Sequence, residues 1–180
     1  MKRLLVVVDM QKDFIDGSLG TKEAQEIVPN VAEKIKEYQN AGDQVVFTFD
    51  THYENYLETQ EGKRLPVKHC IKGTEGWELD KALQDFKGLH YEKNSFGSDN
   101  LASIIRHLYS IHHDKGFYIE LIGVCTDICV VSNALLIKSI EPEVRIVVDA
   151  SCCAGTTPEK HKAALEVMKS CQIDVIGEQI

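Results

Sequence analysis

The chain has 180 residues, 43% of them hydrophobic, and a formal charge of −8. That length suits one domain with a sizeable core, so residues 1–180 read as a single unit, and no basic run offsets the acidic balance to make a nucleic-acid or anionic-membrane surface. The apolar run at 4–8 is cut by Asp9 before it reaches signal-peptide length, and no stretch is long enough to span a bilayer, so a cytoplasmic location is expected. In that compartment the six cysteines (Cys70, Cys125, Cys129, Cys152, Cys153, Cys171) are expected as reduced thiols, and their spacing forms no zinc ribbon.

Short Val/Ile/Leu-rich runs predict strands at 4–9, 44–50, 89–93, 118–124, 144–149 and 173–176. Amphipathic patterns between them predict helices at about 22–41, 76–86, 98–112, 128–139 and 157–170, the last opened by Thr157 as cap with Pro158 and Glu159 in the first turn. Strands alternating with helices imply a mostly parallel six-stranded sheet. Because the strands are nearly continuous apolar runs, helices are expected on both faces, giving an α/β fold in three layers, an α/β/α sandwich. Ligands bind such sheets beyond the carboxyl ends of the strands, where strand order reverses.

Those ends carry chemistry. The first strand ends in Asp9, the second in Asp50 and the third in Lys93, and the fourth stops just before Cys125 and Cys129. Singly, each acid reads equally well as a helix cap or loop anchor, and Cys129 as inert packing. In its favour, Cys129 falls in the first turn of the predicted 128–139 helix. There unpaired N–H groups and the helix dipole favour a thiolate near neutral pH, with Thr126 or Asp127 available as cap. The 51–76 segment is longer than an ordinary connection, and loops of that size are usually functional. It follows Asp50 with His52 and later supplies Glu61 and His69. One carboxylate and two imidazoles suit a divalent metal with open coordination positions, with scattered surface histidines as the bland alternative. His90, His107, His112, His113 and His161 lack an acidic partner at ligand spacing and take that bland reading. No glycine pattern makes a phosphate loop.

Taken together, VVVDMQKDF at 6–14, FTFDTH at 47–52, HCIKGTEGWEL at 69–79, YEKNSF at 91–96 and GVCTDICVVSNAL at 123–135 resemble the isochorismatase-like cysteine hydrolase superfamily. Within it the chain is most similar to the nicotinamidase/pyrazinamidase family. The resemblance implies a Rossmann-like fold, a triad of Asp9, Lys93 and Cys129, and a metal site on Asp50, His52 and His69 with Glu61 as a further ligand. It also implies a cis peptide between Val124 and Cys125, whose backbone N–H groups with that of Cys129 form an oxyanion hole. The metal implied is zinc, with iron or manganese as alternatives. A small amide is the expected partner, and a homo-oligomer the expected assembly.

One stretch departs from the family pattern. Where many nicotinamidases place an aromatic residue and a proline before the His-Cys pair, this chain has 65–70 as LPVKHC. The pocket is therefore expected to have Leu65 as an aliphatic wall, Phe14 opposite and Cys125 nearby, with Tyr53, Tyr56 and Trp77 as further candidates; Trp77 reads equally as core. The implied reaction is nicotinamide to nicotinate and ammonia through a thioester on Cys129. A changed pocket on the same fold would instead take a ureide, a carbamoyl amine or isochorismate. A non-catalytic binding module is the reading from another class.

Overall fold

The computed structural model describes residues 3–178. Six strands form one sheet: β1 (Arg3–Val8), β2 (Gln44–Asp50), β3 (Leu89–Lys93), β4 (Tyr118–Val124), β5 (Arg145–Ala154) and β6 (Asp174–Ile176), in the order β3-β2-β1-β4-β5-β6. Every pairing between them is parallel. The helices are α1 (Lys12–Ile15), α2 (Lys22–Asn40), α3 (Gln60–Arg64), α4 (Asp99–His112), α5 (Val131–Ile140) and α6 (Pro158–Ser170).

Alternation along β1 explains the layers, since successive side chains point to opposite faces. Leu4, Val6 and Val8 pack with Leu101 and Ile105 of α4, Ala134 and Ile137 of α5, and Leu165 and Met168 of α6. Leu5 and Val7 pack with Ile27, Val31, Ile35 and Tyr38 of α2 on the other face. The expected sandwich is present. Helix starts follow local chemistry: the hydroxyls of Thr21, Ser98 and Thr157 accept N–H bonds from Ala24, Leu101 and Lys160.

Two predicted helices differ. At 76–86 there is only a 3₁₀ turn, Glu75–Trp77, because the backbone that follows is used elsewhere. Lys12 N–H donates to the Glu78 carbonyl, Asp80 N–H to the Met10 carbonyl, and Leu79 bridges Gln11. The 128–139 helix is preceded by a π-type turn, Thr126–Val130, and is α-helical only from Val131. β5 also runs five residues past its expected end, to Ala154, because its pairing with β4 resumes beyond a register shift between Leu121 and Gly123. Gly123 adopts φ 115°, and a Cβ there would stand 2.2 Å from the Val8 carbonyl oxygen, so only glycine fits.

The chain reverses its direction of strand addition between β1 and β4, which are neighbours. The cleft beyond their carboxyl ends is the switch point of this sheet.

Candidate active site

Asp9 follows β1 with φ 49°, a left-handed conformation in which the backbone leaves the strand. Its N–H donates to the Thr48 carbonyl at 3.2 Å, and the Thr48 hydroxyl donates to Asp9 Oδ1 at 2.6 Å. Lys93, the last residue of β3, extends across β2 to reach it. Neighbouring strands stand about 4.8 Å apart, so only a long side chain spans that gap. Lys93 Nζ lies 2.7 Å from Asp9 Oδ2, 3.3 Å from Asp50 Oδ1 and 3.5 Å from Cys129 Sγ. An ammonium thus sits among two carboxylates and a sulfur, all buried.

The electrostatics follow from burial and this one cation. Burial pushes the Asp9 carboxyl up; the Lys93 charge opposes that and Asp50 adds to it, with a net rise. Burial also disfavours the Lys93 ammonium, but Asp9, Cys129 and Asp50 together raise it well above its ordinary value. For Cys129, burial and the Asp9 charge push the thiol up more than Lys93 brings it down. Burial thus works against the helix-start effect that the sequence suggested, and shifts Cys129 toward its thiol form beside Asp9 and Lys93.

The expected caps are corrected as well. The Thr126 hydroxyl pairs with His161 Nδ1 at 2.8 Å, and the Asp127 carboxylate accepts from the N–H and hydroxyl of Thr156. Neither caps the helix. The Val124–Cys125 peptide is cis, and the Cys125 carbonyl accepts the N–H groups of Ile128 and Val130.

Beside Asp50 stands a second group. Its Oδ2 is 3.0 Å from His52 Nε2 and 3.5 Å from His69 Nε2, and Glu61 Oε1 is 3.7 Å from each imidazole. Burial alone would raise the Asp50 carboxyl, but the two imidazoles and Lys93 hold it well below the usual carboxylate range. The His69 ring is fixed by its Nδ1–H donating to the Val67 carbonyl at 2.8 Å, which leaves Nε2 facing Asp50. One ligand atom from each of Asp50, His52 and His69 lies within 4.8 Å of the others. The buried His52 Nε2 has no well-aligned hydrogen bond although the Asp50 carboxylate is 3.0 Å away, an arrangement that a cation would satisfy. The donor set fits a divalent metal.

Around these groups, Phe14 is buried with its ring 5.5 Å from that of His69. Leu65, expected as a pocket wall, is exposed just after α3, and its carbonyl accepts the Tyr56 hydroxyl. The buried Tyr56 ring packs at 4.6 Å from His52 and 5.0 Å from His69, an aromatic surface where the sequence suggested an aliphatic one. Trp77 donates from Nε1 to the Thr51 hydroxyl, Tyr53 is exposed, and Cys125 is partly buried.

Three supporting side chains were missed. The Gln11 amide donates to the Asp50 and Trp77 carbonyls and accepts the Asp50 N–H, clamping the backbone that bears Asp50. Asn133 donates to the Cys129 and Phe96 carbonyls and accepts the Ser98 N–H, tying the sulfur-bearing turn to the loop after Lys93. His161, read from sequence as a surface residue, is half-buried against Thr126. All three lie in patterned segments, but nothing local in the sequence separates a clamp from a surface polar group.

The Isochorismatase domain matches residues 3–179. An uncharacterized isochorismatase family protein PncA of Bacillus subtilis is 32% identical, over 92% of this chain and 93% of its own. The pyrazinamidase/nicotinamidase of Streptococcus mutans superposes with TM-score 0.82 at 28% identity, over 97% of this chain and 100% of its own. The pyrazinamidase of Pyrococcus horikoshii, solved in complex with zinc, superposes with TM-score 0.80 at 28% identity, over 99% of this chain and 100% of its own.

Proposed function

Since the chain belongs to the isochorismatase domain family, we propose that it is a cysteine amidohydrolase of the nicotinamidase/pyrazinamidase type, working as one domain over residues 1–180. Asp9 is the proton carrier, Lys93 the cation between base and nucleophile, and Cys129 the nucleophile. The observation that carries the reading is Lys93 Nζ within 2.7 Å of Asp9 Oδ2 and 3.5 Å of Cys129 Sγ.

Burial and the Asp9 charge favour the protonated form of Cys129 before substrate binds. Asp9 then takes the Cys129 proton as sulfur attacks the amide carbonyl, so the thiolate exists only as it is consumed. Backbone N–H groups at Cys125 and Cys129 stabilise the tetrahedral oxyanion. As the C–N bond breaks, Asp9 returns the proton to the departing ammonia, leaving a thioester. Water adds to the thioester with Asp9 again accepting a proton; the C–S bond breaks and the proton returns to sulfur, releasing the acid. The buried Lys93 charge opposes the rise that burial imposes on the Asp9 carboxyl and so favours the ionised form that accepts the thiol proton.

Asp50, His52 and His69, with Glu61 beside them, are the residues that would hold a divalent metal, zinc or alternatively iron or manganese. When bound, such an ion supplies a Lewis-acid anchor for a lone pair of the substrate. Tyr56 and Phe14 orient a flat ring beside that group, which suits an aromatic amide.

Ammonia release from nicotinamide, pyrazinamide and a small ureide panel, with and without chelator, tests the reading. Release from the two ring amides is expected. Release from ureides alone would move the assignment to carbamoyl chemistry, and release from none would overturn it.

A further inference from the structure

The turn that carries Cys129 is held from behind by groups that take no part in the chemistry described above. In it, the N–H groups of Val130 and Val131 reach back five residues, to the carbonyls of Cys125 and Thr126. Hydrogen bonds of this kind are rare and tend to occur at functional sites. Reversion to α-helical pairing would swing a side chain by about 100° around the axis for each residue of shift. Cys129 would then leave Lys93.

Thr126, which opens the turn, is fully buried, and its hydroxyl pairs with His161 Nδ1 at 2.8 Å. His161 lies in the first turns of α6, beyond α5 and β5 along the chain. Its backbone N–H donates to the Thr157 carbonyl, so its place is set by a capped helix start. Between the two runs Gly155: a Cβ there would stand 2.9 Å from Asp127 Oδ1 and 2.9 Å from the His161 backbone nitrogen. The α6 start is thus packed closely against the turn. Asp127 adds a second tie through Thr156.

We propose that His161 is a positioning residue: through the Thr126 hydroxyl it fixes the 126–130 turn and thereby the aim of Cys129 at Lys93 and Asp9. The inference rests on Cys129 being the nucleophile of the proposed amidohydrolase. It does not make His161 a group that touches substrate.

The test compares His161→Leu, which fills the space without a hydrogen bond, with His161→Asn, whose amide nitrogen lies near the place of Nδ1. For a misplaced nucleophile, kcat of His161→Leu is expected to fall about 10- to 100-fold with KM within about threefold, while His161→Asn stays within about threefold of the parent in both. A second readout needs no substrate. Hydrogen exchange of the peptide spanning 124–136 should speed in His161→Leu, be restored in His161→Asn, and leave the β1 peptide unchanged in both. Parental kcat and exchange in His161→Leu would overturn the proposal, as would equal impairment of the two variants, a rise in KM alone, or faster exchange throughout the chain. If the parent hydrolyses no amide, the functional reading fails, and the exchange comparison still decides whether His161 holds the turn.

Discussion

Replacing Lys93 with Met removes the one charge that the Asp9–Cys129 arrangement is built around and keeps most of the volume. The side chains of Lys93, Asp9 and Asp50 are 2%, 0% and 7% exposed, so water cannot take over the solvation that the ammonium provides. Breaking a buried ion pair by deleting one partner costs about 3–5 kcal/mol. At about 2–4 °C per kcal/mol for a chain of this size, Tm is expected to fall by about 6–20 °C. The variant has an outlet, because Asp9 can accept a proton, and burial already pushes its carboxyl up. A carboxyl whose folded pKa lies above its unfolded value of about 3.9 contributes most stability below that value and loses it as pH rises through the window between the two. Lys93→Met should therefore gain stability relative to the parent as pH falls through that window toward about 3.9, opposite to ordinary acid denaturation. Urea unfolding across that range, with ammonia release measured alongside, checks both effects. A variant within about 1 kcal/mol of the parent at every pH, with no difference in slope, would refute the account of a buried cation between two acids.

Cys129→Ala should unfold within about 1–2 kcal/mol of the parent and lose amide hydrolysis by about 10³-fold or more, and retained hydrolysis would reject the nucleophile assignment. Protein purified without chelator should carry a stoichiometric divalent ion by elemental analysis, and His69→Ala should not; an ion held at about 100 times its Kd adds about 2.7 kcal/mol, so chelation should lower Tm. Away from the site, Lys34 pairs with Glu120 and Asp149 at 2.8 Å each. Burial raises the Asp149 carboxyl, but the Lys34 and Ser151 hydrogen bonds outweigh it, and the net shift is down. Stability from Asp149 is thus fully present above its unfolded pKa of about 3.9 and lost as pH falls through the lower folded value. Acid unfolding of Asp149→Asn should accordingly show a shallower loss in that range than the parent.

The legible part of the site is the part written in local pattern. Asp9, Asp50 and Lys93 sit at the ends of apolar runs, and a parallel sheet brings such ends to one edge, so their convergence followed from counting strands. His52 and His69 were legible because a long loop between strand and helix signals carried them. Gln11, Asn133 and His161 were not, since each acts on a backbone or hydroxyl group far along the chain, by 39, 35 and 35 residues respectively for the contacts to Asp50, Ser98 and Thr126. Trp77 shows the converse failure: helical spacing over 76–86 lost to backbone bonds with Lys12, Met10 and Gln11, a competition invisible within the segment.

By itself the sequence determined the alternation of elements, the apolar layers on both faces of the sheet, and which reactive side chains end which strands, because periodicity and strand ends are short-range properties. The cis peptide at Val124–Cys125 was not among these, because residue 125 is not proline and nothing in composition marks such a bond. Only the tertiary structure decided that Cys129 is buried beside Asp9 and Lys93, that its turn is of π type, and that the α6 start packs against it. Those properties depend on desolvation and on contacts between elements, and both arise only when the layers close over the carboxyl edge of the sheet.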